Sequence, residues 1–90
     1  MTAQAEFVVA SELGLHARPA GEFAALASKF EAEISIARAD SDEWVSGRSV
    51  LSLLALAASQ GTRLVVRADG ADAAAAVAAL GELLVRPHAG

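Results

Sequence analysis

The chain has 90 residues, 54% of them hydrophobic and only 4% aromatic, and a net charge of −4. That length supports one modest core, so residues 1–90 are expected to form a single domain. The acidic balance argues against the broad basic surface that nucleic acid binding needs, and the lack of cysteine removes disulfides, thiolate catalysis and cysteine-based zinc sites together.

Met1–Glu6 has no basic stretch followed by an apolar one, so no secretory signal is read there. The longest apolar run, Val50–Ala58, is interrupted by Ser52 and falls far short of the ~20 residues of a membrane-spanning helix. A cytoplasmic location with no membrane insertion is the expectation. Glu6–Ala10 reads as a first strand, followed by the polar turn Ser11-Glu12-Leu13-Gly14. A helix is predicted over Ala17–Lys29, with Phe23, Ala24, Ala27 and Phe30 on its apolar stripe and Lys29 near its negative end. Glu33–Ala37 alternates, placing Ile34 and Ile36 inward, and Asp40-Ser41-Asp42 turns the chain into a short partner strand at Glu43–Val45.

Leucine and alanine outnumber β-branched residues in Val50–Leu56, which favours a short helix, with Gly61 in the turn beyond it. Thr62–Ala68 is the clearest strand, its arginines alternating onto one face. Asp69-Gly70-Ala71-Asp72 is expected to cap a final helix over Ala73–Val85, with Val77, Leu80 and Leu84 on its buried side. The tail, Pro87–Gly90, reads as frayed, and its His88 is assigned no role. The order β-α-β-β-α-β-α contains no parallel βαβ repeat. It therefore predicts an α+β fold with one antiparallel sheet and the helices on one face.

Chemistry concentrates in Gly14-Leu15-His16-Ala17-Arg18-Pro19-Ala20. Proline is tolerated in the first turn of a helix, so Pro19 sets the helix start close to His16. Unpaired N–H groups and the positive end of the helix dipole make that turn attractive to phosphate. A histidine there can take a phosphoryl group, and Arg18 offers a planar guanidinium to its oxygens. Because a residue before proline is biased away from helical dihedrals, regular helix is also compatible with a start at Pro19. The same residues fit a plainer reading, in which His16 caps the helix and Arg18 is a solvated charge.

Ser49 stands at the start of the short helix, where its ordinary role is N-cap and where an added phosphate would also be tolerated. Val50, Leu51 and Leu54 need not all face the core, and exposed beside His16 they would mark a docking surface. Two distant histidines and scattered carboxylates lack metal-ligand spacing, and no glycine-rich nucleotide loop is present. No metal or other cofactor is expected.

The heptad Gly14–Ala20 resembles the active-centre signature of the HPr family, the histidine-containing phosphocarriers of the bacterial phosphotransferase system. Arg48-Ser49-Val50-Leu51-Ser52-Leu53-Leu54 resembles the family's second signature, and Gly61-Thr62 before the last strand also fits. The resemblance implies an open-faced β-sandwich, a four-stranded antiparallel sheet covered by three helices. It implies a carrier and not an enzyme, taking phosphate from enzyme I and passing it to an EIIA domain. On that basis His16 is the acceptor through Nδ1, and Arg18, with Ala17, holds the phosphate. The resemblance further assigns partner docking to Val50, Leu51 and Leu54, to which we add Ala20, and regulatory phosphorylation by an HPr kinase/phosphorylase to Ser49. A monomer is expected. The Ala39–Glu43 turn is slightly longer than is usual in the family, a change expected to affect a loop and not the site. The alternative function is a regulatory module of a nitrogen-type or catabolite-control pathway, switched by phosphorylation at His16 or Ser49.

Overall fold

Side-chain alternation builds the sheet. In the computed structural model, which describes residues 1–87, strand β4 (Arg63–Asp69) buries Leu64, Val66 and Ala68 and exposes Arg63 and Arg67. Strand β1 (Thr2–Val8) pairs antiparallel along one side of β4, from Thr2 opposite Asp69 to Val8 opposite Arg63. On the other side lies β2 (Glu33–Arg38), and the two-residue β3 (Val45–Ser46) closes the order β1-β4-β2-β3. Helices α1 (Ala17–Ala27), α2 (Val50–Ala55) and α3 (Ala73–Val85) complete the expected α+β order, and their apolar sides meet the sheet's inner face in one core.

Phe23 is fully buried at the centre of that core, against which Ile34, Ile36, Leu53 and Leu80 also pack. Burying a ring of this size is worth roughly 1.5–3 kcal/mol over leaving it in water. At Gly81, α3 comes so close to β1 that an added Cβ would fall on the Phe7 ring. The opposite sheet face stays open, and there the Arg67 guanidinium lies 5.7 Å from the centroid of the Trp44 ring.

Several predicted boundaries shift. The first strand starts at Thr2 and ends at Val8 instead of spanning residues 6–10, because Ala3, Ala5 and Phe7 supply its inner face. Small alanines pack well here despite their weak strand preference. Helix α1 stops at Ala27, before Lys29, and Arg48 bonds chiefly to carbonyls of the turn beyond it. Arg48 donates to Phe30 O at 2.7 Å and Ala32 O at 2.9 Å, and more weakly to Ala27 O at 3.5 Å. The partner strand begins at Val45, not Glu43. Helix α3 occupies the predicted span with Asp72 at its N-cap, but Asp72 makes no side-chain cap bond to it. Its carboxylate instead accepts from the Glu31 and Ala32 N–H groups, both at 2.9 Å, and so ties the start of α3 to the chain entering β2. Those bonds, led by the one from Glu31, hold the Asp72 carboxyl below the ordinary aspartate range against the opposing effect of partial burial. His88 lies outside the described residues.

Candidate functional site

Gly14 shapes the approach to the site. Its φ of +71° is open to glycine at little cost, and a Cβ there would run into the Ala58 carbonyl. That same carbonyl accepts the Leu15 N–H at 2.8 Å, so the segment after α2 fixes the residue next to His16. His16 is the N-cap of α1 in extended conformation (φ −93°, ψ −170°), and the helix begins at Ala17. Pro19 therefore sits in the first turn, buried, where its missing N–H costs no helical bond.

The His16 imidazole makes no cap bond to α1, so the capping role considered from sequence lacks its hydrogen bond. Its Nε2 is buried with no partner among the described residues, while the residue as a whole is partly exposed. Ala17 and Arg18 are both exposed. Their N–H groups belong to the first turn, where no preceding helical carbonyl exists to accept them. Among the described residues no carboxylate pairs with the Arg18 guanidinium. An imidazole nitrogen, a free guanidinium and two N–H groups at the positive end of a helix thus share one exposed turn, a combination suited to holding a small oxyanion.

Helix α2 carries the other predicted residues. Ser49 is its N-cap, and its hydroxyl oxygen accepts the Ser52 N–H at 3.2 Å. Leu53 turns into the core, whereas Leu51 is 80% exposed and Val50 and Leu54 are each 37% exposed. Ala20 must be corrected: it is completely buried under α1 and offers no docking surface. Leu13, 61% exposed in the turn before Gly14, is a further exposed apolar side chain near His16 in sequence. Pattern analysis gives no signal for it, since turns are judged by their glycine and polar residues.

Fold and site together define a small α+β domain that displays one histidine and one arginine at a helix mouth, on an open-faced sheet. The family profile described as "PTS HPr component phosphorylation site" matches residues 3–86. A phosphocarrier protein HPr of Haloferax volcanii is 41% identical over 81 residues, 90% of this chain and 91% of that protein. One from Neisseria meningitidis serogroup A is 41% identical over 76 residues, covering 84% and 83% respectively. The crystal structure of HPr from Bacillus anthracis superposes with a TM-score of 0.85 at 30% identity, covering 92% of this chain and 96% of that one. The chain belongs to the HPr family of phosphocarrier proteins. Its function is that of a phosphoryl carrier of the phosphotransferase system, not of an enzyme in itself.

Proposed function

We propose that His16 is the phosphoryl acceptor, through Nδ1, with enzyme I as donor and an EIIA domain as recipient. The observation that carries this reading is a partly exposed histidine at the start of α1 that leaves the helix uncapped and whose buried Nε2 has no partner among the described residues. In the transfer, a bond forms between Nδ1 and phosphorus as the donor's bond to phosphorus breaks, and no water takes part. Arg18 and the N–H groups of Ala17 and Arg18 balance the charge on the phosphoryl oxygens. Because the turn is exposed, the group is held loosely enough to be passed on. Val50, Leu51 and Leu54 form the apolar ground on which each partner docks in turn.

Two further assignments rest on the same reading. Ser49 is a regulatory phosphorylation site for an HPr kinase/phosphorylase, and a phosphate there would add charge beside the docking residues. Residues 1–90 form one domain, which works as a monomer in the cytoplasm. Incubation with enzyme I and phosphoenolpyruvate should add one acid-labile phosphate. His16→Ala should take up none; equal labelling of that variant would overturn the assignment.

A further inference from the structure

We infer that Arg38, at the end of β2 and outside the phosphate-binding turn, is a positioning residue for His16. The inference rests on the carrier reading above for its functional half. The side chain of Arg38 joins two segments. Its Nε donates to Asp40 Oδ1 at 3.2 Å, within the β2–β3 turn, and its Nη1 donates to the carbonyls of Leu56 at 3.2 Å and Ala57 at 3.3 Å. These carbonyls sit at the C-terminal end of α2, where helical carbonyls lack partners of their own and where a cation is favoured.

The segment so held is under strain and bears directly on the site. Ala57 has φ of +52°, in the left-handed region that a Cβ disfavours. The next residue, Ala58, supplies the carbonyl that accepts the Leu15 N–H at 2.8 Å and against which Gly14 is packed. A chain of contacts therefore runs from Asp40 through Arg38 to the Leu56 and Ala57 carbonyls, on to Ala58, and from there to Leu15 and His16. Arg38 bonds the carbonyls just before Ala58 and so fixes where the Ala58 oxygen points. The turn over residues 39–43, expected to lie apart from the site, is linked to it through this guanidinium.

Arg38 is only partly exposed and its loss removes no core contact, so Arg38→Met, which keeps the apolar stem, should fold. In that variant the Leu15 amide should exchange with solvent about five- to tenfold faster relative to Val66, whose amide reports global opening, as expected when about one hydrogen bond's worth of restraint is lost. Phosphoryl transfer from enzyme I should slow by about threefold or more in kcat/KM, because a displaced acceptor weakens alignment. Arg38→Lys should recover part of both effects. Arg63→Met removes an arginine paired with Glu6 instead, and should change neither. Unchanged relative exchange at Leu15 in Arg38→Met, or an equal rise in Arg63→Met, would overturn the coupling. Faster exchange with wild-type transfer would overturn its functional half. Failure of the carrier reading is separately visible, as a wild-type chain that takes up no phosphate while Leu15 exchange still responds to Arg38→Met.

Discussion

Two helix starts in this protein are built in opposite ways. At α2 the N-cap is Ser49, whose hydroxyl accepts the Ser52 N–H and closes the first turn with its own side chain. At α1 the N-cap is His16, which makes no such bond and leaves that turn open to an outside anion. The first arrangement contributes about 1 kcal/mol to stability, and the second forgoes it. What α1 gains is an exposed first turn with an imidazole, a guanidinium that no carboxylate among the described residues pairs with, and N–H groups that no helical carbonyl accepts. The difference teaches that a helix end serves as a binding site only where its own sequence declines to cap it.

The largest effect should come from His16→Ser, which gives α1 the kind of cap that α2 has. Phosphate uptake from enzyme I should be lost, while chemical denaturation should show the protein about 0.5–1 kcal/mol more stable. A variant that is both inactive and less stable would break the comparison. Next comes Gly14→Ala, which combines a left-handed alanine with an approach to the Ala58 carbonyl that has no room for a methyl group. A loss of roughly 2–4 kcal/mol is expected in urea unfolding, with slowed transfer, because strain and overpacking add. Ser49→Ala should cost about 1 kcal/mol and leave uptake at His16 unchanged, since the cap it removes belongs to the other helix.

The smallest effect concerns α3, whose N-cap Asp72 serves neighbouring backbone and not its own helix. The Glu31 and Ala32 N–H groups lower its carboxyl in the folded state, so its contribution is fully present above the ordinary aspartate value, about 3.9. That contribution is lost as pH falls through the lowered folded value, where the carboxylate takes up a proton. Thermal unfolding followed from pH 5 downward should therefore fall less steeply for Asp72→Asn than for the unaltered protein. Parallel slopes would show that Asp72 does not set this dependence.

Much of the arrangement can be read from local pattern. The alternation at Ile34 and Ile36, the stripe through Phe23 and Ala27, and the span of α3 all come out as predicted, since each reflects a simple period meeting a core. The backbone at the start of α1 is equally legible, because Gly14 and Pro19 each act on the chain beside them. Ala3 and Ala5 hid the true extent of β1, since alanine signals neither strand nor face. Ala20 looked available on the heptad's own helix and is buried, a matter of which way α1 rotates against the sheet.

The arginines mark the boundary most clearly. Arg48 stands beside Ser49 in the second signature, yet its guanidinium reaches back to the carbonyls of Phe30 and Ala32, in the turn between α1 and β2. Arg38 reads as the last residue of a strand and reaches the end of α2. Sequence by itself determined the element order, the inward faces and the start of α1 beside His16, because these depend on neighbours within about one helical turn. Tertiary structure alone decided which distant side chains meet the carbonyls at and beyond the ends of α1 and α2, and that Nε2 of His16 is buried. Those outcomes follow from long side chains and carbonyls that meet only after the sheet has brought residues some 16 to 21 positions apart into contact.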